Sequence, residues 1–437
     1  MAQSSLRKII AASMVGTTVE WYDFFLYTSA ATLVFNKVFF PTSDPLNGTL
    51  LALGTYALGF VARPIGGLVF GHYGDRLGRK KLLVISLLLM GISTFLIGLL
   101  PGYATIGVAA PILLTVLRLV QGFAIGGEWG GAVLIVSEHG SAERRGFWSS
   151  WPQAGVPAGN LLATAVLAIL AAVQTDEAFV SWGWRIAFLL SAVLVLIGLW
   201  VRLAVSESPI FLEAQAKAGG VPEKAPIVRV VREHWREVLV AMGARIAENG
   251  SYYIITGFLL VYLTEALKVP RSIGLNAVLI GSAVHLITIP LWGALSDRVG
   301  RRAVYLFGAT GIGVWAFLFF GMLDTKSFGM ITLAVTLGLV LHGAMYGPQA
   351  AFFAELFGTR VRYSGASIGY QLASLGAGAV APLIATALLK DTGMAWPISV
   401  YVAAMCAVTI IAVFLAKETR GVSLGQDGER ERVSGAA

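Results

Sequence analysis

Apolar residues run in stretches of about 20 along this chain, and polar residues gather in short intervals between them. The pattern predicts twelve helices at roughly 9–35, 50–71, 82–101, 108–138, 147–173, 183–205, 237–264, 272–294, 303–323, 328–355, 364–389 and 396–416. Many of the 51 glycines fall inside these runs. Small residues let membrane helices pack closely, so glycine does not argue against helix here. The longest polar stretch, Ser206 to Arg236, divides the chain. The expected organisation is a six-helix bundle over 1–205, a cytoplasmic linker over 206–236, and a second bundle with a short cytoplasmic tail over 237–437. The predicted fold class is an all-α membrane protein of twelve transmembrane helices in two pseudo-symmetric six-helix bundles.

Composition agrees with the pattern. Hydrophobic residues make up 57% of 437, and mean hydropathy is +0.76. Charged residues are 13%, against about 25% in soluble proteins. A soluble globule could not hide so much apolar surface, which excludes a cytosolic enzyme and a disordered chain. Cys406 is the only cysteine, so no intrachain disulfide can form. Arg7 and Lys8 ahead of an apolar run resemble the start of a signal peptide. Glu20 and Asp23 interrupt that run, and it reads instead as a retained first helix.

The net charge of +8 matters by its placement. Of 32 Lys and Arg residues, 23 fall on one predicted face, including Arg76, Arg79, Arg144, Arg145, Arg202, Lys217, Lys224, Arg298, Arg301, Arg360, Arg362, Arg430 and Arg432. Five fall on the other: Lys37, Lys268, Arg271, Lys326 and Lys390. Arg63, Arg118, Arg185 and Arg245 lie within spans. Such asymmetry places both termini in the cytoplasm, and the charge is not a nucleic-acid signal.

A repeat supports the division. Gly71-His72-Tyr73-Gly74-Asp75-Arg76-Leu77-Gly78-Arg79-Lys80 returns as Gly293-Ala294-Leu295-Ser296-Asp297-Arg298-Val299-Gly300-Arg301-Arg302, 222 positions later. A weaker echo pairs Glu138 and Arg145 with Glu355 and Arg362. Duplicated six-helix halves mark a large class of transporters.

At these residues the chain resembles the major facilitator superfamily, whose signature loop lies between helices 2 and 3 and between helices 8 and 9. More narrowly it is similar to the metabolite:proton symporters, which include shikimate, 2-oxoglutarate, citrate and proline/betaine carriers. Further segments carry the likeness: Glu20-Trp21-Tyr22-Asp23-Phe24-Phe25, Ala62-Arg63-Pro64, Arg118 through Gly131, Ser181-Trp182-Gly183-Trp184-Arg185 and Glu207-Ser208-Pro209. The resemblance implies an inner-membrane carrier that works by alternating access.

Charges inside the spans are costly, about 2.5–3.5 kcal/mol each on insertion scales, so each needs a reason. Glu20 lies 11 residues past Ile9, about 16 Å into a core roughly 30 Å thick. Asp23 and Tyr27 share its face. Two carboxylates this close in low dielectric disfavour double ionisation, so one is expected to bind and release a proton. Arg118 is the expected partner of Asp23, either as a proton-controlled switch or as a static pair between helices. Related sugar:proton symporters use an Asp on helix 1 and an Arg on helix 4 as the switch, and the match falls on Asp23 and Arg118. Glu20 and Glu128 complete the proton-coupling candidates, with Glu128 alternatively an interhelix brace.

The candidate substrate-binding residues are Arg63, Tyr27, Gln121, Gln153, Arg245, Asn249, Tyr252, His342 and Tyr346. Arg63 could read a substrate anion or pair with Glu20 or Glu128. Arg245, Glu248, Asn249, Tyr252 and Thr256 form one polar stripe on helix 7, where Arg245 could read a carboxylate or pair with Glu248. His285 and His342 lie mid-span as either proton carriers or helix–helix contacts.

The repeated loops suggest a cytoplasmic gate of Asp75, Arg76, Arg79, Glu138, Asp297, Arg298, Arg301 and Glu355, in which Asp75 caps a helix N-terminus and the arginines pair with Glu138 and Glu355. The expected function is proton-coupled symport of a small organic acid anion or zwitterion. A proton gradient is the energy source, and no cofactor or metal is called for. The alternatives are a uniporter or exporter and, outside transport, a membrane sensor. Five His, one Cys and no H-E-x-x-H or G-x-S-x-G motif argue against an enzyme. A monomer in the lipid bilayer is expected.

Overall fold

The computed structural model describes residues 6–41, 45–204, 206–208, 211–213, 216, 226–359 and 361–424. Much of the expected linker, with Lys217 and Lys224, lies outside these residues, as do Arg360, Arg430 and Arg432. The described chain is helical. Its long helices are α1 (Leu6–Ala30), α2 (Pro45–Leu77), α3 (Arg79–Leu99), α4 (Ala109–His139), α5 (Arg145–Ala172), α6 (Trp184–Leu203), α7 (Trp235–Tyr253), α8 (Arg271–Val299), α9 (Arg301–Asp324), α10 (Phe328–Leu356), α11 (Arg362–Ala373, continuing through a π segment Ser374–Ala379 into Val380–Thr392) and α12 (Trp396–Leu415). Further π segments follow α1 at Ala31–Phe35 and α7 at Ile254–Phe258.

Among the described residues, nine helices are long and apolar enough to cross a membrane by length and composition. The long helices outside that set are α1, α2 and α7, which carry Glu20 and Asp23, Arg63, and Arg245 and Glu248. Polarity is inverted relative to a soluble protein. Trp200, Leu196, Leu291, Val314 and Phe414 are exposed, while Glu20, Asp23, Arg63, Arg118, Glu128, Arg245 and Glu248 are buried. Apolar exposure on this scale suits contact with lipid rather than water.

Packing repeats with a shift of six helices. α2 lies on α4 as α8 lies on α10, α1 on α5 as α7 on α11, and α3 on α6 as α9 on α12. The strongest contacts between the two sets are also a related pair, α5 with α8 and α2 with α11.

Helix ends outrun the apolar stretches. α2 continues past the expected limit of 71 to Leu77, and only Gly78 separates it from α3. Backbone hydrogen bonding, not hydropathy, sets where a helix stops. Gly78 has φ 103° and its repeat Gly300 has φ 107°, a region that favours glycine.

α2 and α4 meet backbone to backbone. A Cβ on Gly122 would sit 2.0 Å from the Gly59 carbonyl oxygen. Gly122→Val is therefore expected to abolish folded, monodisperse protein on size exclusion. Gly321→Ala, with nothing within 4 Å of the added carbon, should elute like the parent.

Candidate functional site

Three clusters of buried polar groups run through the helices. In the first, Arg202 of α6 reaches inward between two carboxylates. Its Nη1 donates to Glu20 Oε1 at 2.8 Å, and its Nη2 lies 3.8 Å from Glu128 Oε1. Ser86 and Thr17 add hydroxyl donors to Glu20 and Glu128. This corrects two expectations. Arg202 is not a cytoplasmic surface charge, and Glu20 and Glu128 pair with it rather than with Arg63.

Asp23 is fully buried and accepts from Ser191 Oγ at 2.5 Å, while its Oδ2 has no hydrogen-bond partner among the described residues. The expected Asp23–Arg118 ion pair is not formed. Arg118 Nη1 donates to Gln121 Oε1 at 3.1 Å, and its guanidinium lies over the Phe24 and Tyr27 rings. Gln121 donates in turn to Thr94, and the Tyr27 hydroxyl meets Thr55 at 2.6 Å. Residues that share a face of α1 thus divide between two sets of neighbours: Glu20 and Asp23 meet α3 and α6, and Tyr27 meets α2.

Arg63 sits 14 residues before the end of α2, about 21 Å into the protein. It is 2% exposed. Its guanidinium lies 4.0 Å from the Phe60 ring centroid, 4.6 Å from Phe24 and 5.8 Å from Trp21. Among the described residues no carboxylate pairs with it, and Nε and Nη2 have no hydrogen-bond partner. Phe60 in turn touches Tyr253 of α7, and Tyr253 and the Asn249 side chain both border Gly378 of α11. Arg63 therefore lies where α2 meets α7 and α11, with the buried Asn249 Oδ1 nearby and lacking a hydrogen-bond partner among the described residues.

The second cluster fills the space among α7–α11. Arg245 Nη1 donates to Glu248 Oε2, its Nε donates to Ser374 at 3.1 Å, and it stacks 3.2 Å from the Tyr370 centroid. Gln349 Nε2 bridges Glu248 Oε2 and the Tyr305 hydroxyl. His342 contacts Glu248 at 3.1 Å and His285 at 3.0 Å, with the Tyr252 and Tyr346 rings alongside. Between the helix sets, Trp129 of α4 stacks on Tyr370 of α11 at 3.8 Å. Gln153 of α5 accepts from Trp129 Nε1 and donates to the Tyr346 carbonyl oxygen. Gln153 thus joins the two sets. Tyr370, Trp129, Arg202 and the His285–His342 contact were not legible as partners, because each joins residues distant in sequence.

The third cluster lies at the helix ends that carry the repeated loops. Asp75 accepts from the Tyr363 and Ser364 backbone N–H groups at the start of α11, at 3.2 and 2.8 Å. Its repeat Asp297 accepts from Gly146 and Phe147 at the start of α5, both at 2.8 Å. Each carboxylate caps a helix of the opposite set, where the helix dipole favours negative charge. Arg79 and Arg301 hold Glu138 and Glu355 within their own sets. The pairs that cross between sets use other arginines: Arg145 with Glu355 and Arg362 with Glu138, both at 2.8 Å. Arg76 instead faces His72, and Arg298 offers its carbonyl oxygen to Arg420, so neither joins the gate carboxylates as expected. The segment after α12 lies across this gate: Thr419 donates to Glu355, Arg145 donates to the Val422 carbonyl, and Arg362 to that of Leu424.

The sequence matches the family described as "Sugar (and other) transporter" over residues 8–427. It is similar to the shikimate transporter of Escherichia coli strain K12, at 41% identity over 422 residues and 96% of each chain. It is 43% identical over 426 residues to the inner membrane metabolite transport protein YhjE of the same strain, again 96% of each. The proline/betaine transporter of Salmonella typhimurium is 34% identical over 421 residues, 95% of this chain and 84% of that one. Among solved structures, the proton:xylose symporter XylE bound to 6-bromo-6-deoxy-D-glucose superposes with a TM-score of 0.80 at 18% identity, covering 98% of both chains.

Proposed function

This chain belongs to the sugar (and other) transporter family of the major facilitator superfamily, and we propose that it is a proton-coupled symporter of a small organic acid anion or zwitterion. It is a multi-pass transporter of the inner membrane and not an enzyme. On this reading all twelve long helices span the bilayer, in bundles 1–205 and 237–437 joined by the cytoplasmic segment 206–236, with both termini inside. α1, α2 and α7 count as spans on this reading because each is 19 residues or longer and buries its interior charges against other helices.

One observation carries the functional reading. Two buried ionisable groups each lack a counter-charge among the described residues: Asp23 has a hydroxyl and no cation, and Arg63 has aromatic rings and no carboxylate. Isolated charge is expensive in such surroundings. A proton neutralises Asp23, and a substrate carboxylate neutralises Arg63. Proton and anion loaded together leave the site electrically balanced, which is what lets the two helix sets rock around it. On this reading the formed gate contacts keep the carrier shut toward the cytoplasm. Deprotonation of Asp23 into the cytoplasm, with Arg118 as its ionic partner, would then complete the cycle.

The names of the relatives point to carboxylates, namely shikimate, proline and betaine. A thermal-shift and counterflow screen of shikimate, quinate, 2-oxoglutarate, citrate, proline and betaine identifies the ligand. Arg63→Ala should weaken the one that binds by about 10- to 100-fold, the loss of a charge-assisted hydrogen bond of roughly 1.5–3 kcal/mol. Unchanged affinity in that variant would remove Arg63 from the site.

A further inference from the structure

The second cluster contains a chain of three titratable groups from three helices: Glu248 of α7, His342 of α10 and His285 of α8. Each is at most 2% exposed. Hydrogen-bond chemistry fixes the protons along it. Ionised Glu248 only accepts, so the His342 Nε2 at 3.1 Å carries a hydrogen and donates. With His342 neutral, its Nδ1 is then the bare acceptor, so His285 Nε2, 3.0 Å away, carries the next hydrogen. His285 Nδ1 is left as a bare lone pair, buried and without a partner among the described residues. The chain has one vacancy for one proton.

We propose that Glu248, His342 and His285 form a second proton-binding site, a relay in which a proton taken up at His285 Nδ1 ends on Glu248 and frees Arg245 for an anion. The transfers balance. A proton bonds to His285 Nδ1; the Nε2 hydrogen of His285 passes to His342 Nδ1; the Nε2 hydrogen of His342 passes to Glu248 Oε1. Both rings end neutral in the opposite tautomer, and Glu248 ends as a neutral acid. Arg245, whose Nη1 donates to Glu248 Oε2, loses its counter-charge and keeps Ser374, Gln349 and the Tyr370 ring. The other titratable or charged groups facing the chain are Arg245 and Tyr252 of α7, Tyr305 of α9, Tyr346 of α10 and Tyr370 of α11. Arg245 is the sole cation among them, so neutralising Glu248 changes the charge balance of the whole cluster. The relay deepens the proton-coupling reading given above, and it adds a protonation step in the second helix set to the one assigned to Asp23.

The test needs neither substrate nor gradient. Full-length protein in lipid nanodiscs is taken from neutral to acid pH, and the infrared difference spectrum is read for the carbonyl band of a protonated carboxyl. A band that disappears in Glu248→Gln and in His342→Gln, but persists in Asp23→Asn, is the expected result. His342→Gln keeps a donor to Glu248 and so spares the fold, yet it cannot pass a proton on. His285→Gln, at the far end of the chain, is the second variant and should also lose the band. A Glu248-dependent band that survives in both histidine variants overturns the relay, as does the absence of any Glu248-dependent band. A failure of symport would instead appear in uptake assays while leaving this band intact.

Discussion

Replacing Asp23 with Asn should abolish proton-driven accumulation while leaving exchange of substrate across the membrane measurable. The amide keeps the shape of the carboxyl and its contact with Ser191, but it is a permanent mimic of the protonated form. A carrier fixed in that form can still rock when loaded, so counterflow survives. It cannot release the proton, so it cannot use the gradient. Each unit of pH difference is worth 1.36 kcal/mol per proton, about a tenfold accumulation. Reconstituted parent protein with one unit imposed should approach that ratio, and the Asn variant should stay near one. Tenfold accumulation by the variant would transfer the coupling role elsewhere, and the Glu20–Arg202–Glu128 cluster would be the next candidate. Two carboxylates share one guanidinium there.

Glu138→Ala should open the cytoplasmic side. That carboxylate holds Arg79 of its own set and Arg362 of the opposite set, and all three side chains are essentially inaccessible. Its removal leaves two buried guanidinium groups short of a partner, which typically costs about 3–5 kcal/mol. Opening that end to water relieves the cost. The shift toward the cytoplasm-open form should therefore reach roughly two to nearly four powers of ten. A cysteine placed at Ser367, buried beside Gly130 under the gate, reports it once the native Cys406 is replaced. Labelling by a thiol reagent from the cytoplasmic side should rise steeply in the Glu138 variant. Asp75→Asn should raise it less, because Arg79 then loses one of its two carboxylates but keeps Glu138, and the amide oxygen still accepts a hydrogen bond from the start of α11. Labelling unchanged from the parent in both variants would contradict the gate.

The parts of this organisation legible in the sequence are those written locally. The apolar runs marked the helices, and the motif repeated 222 positions apart marked Asp75 and Asp297, each of which caps a helix of the opposite set. What stayed hidden are the partners, which depend on tertiary packing. Arg202 stands near a helix end, where a cation ordinarily snorkels to the interface, and nothing local shows it turned inward to Glu20, 182 positions away. His285 and His342 are single histidines on separate helices, and only the packing of α8 on α10 makes them a pair. The sequence also suggested Arg79 and Arg301 as the latch. The crossing pairs fall to Arg145 and Arg362, because these begin the helices that the opposite set caps. The strap from Thr419 to Leu424 was invisible for a related reason: three of its four gate contacts are made by backbone carbonyls, which carry no residue signature.

The central claim is that a proton and a carboxylate cross together. It is tested most directly in proteoliposomes with no gradient imposed, in lightly buffered medium, by adding the carboxylate that the screen identifies and following external pH. The account predicts alkalinisation outside that tracks uptake, vanishes with a protonophore present, and is absent in Asp23→Asn. Uptake at the same rate with no change in external pH would contradict it.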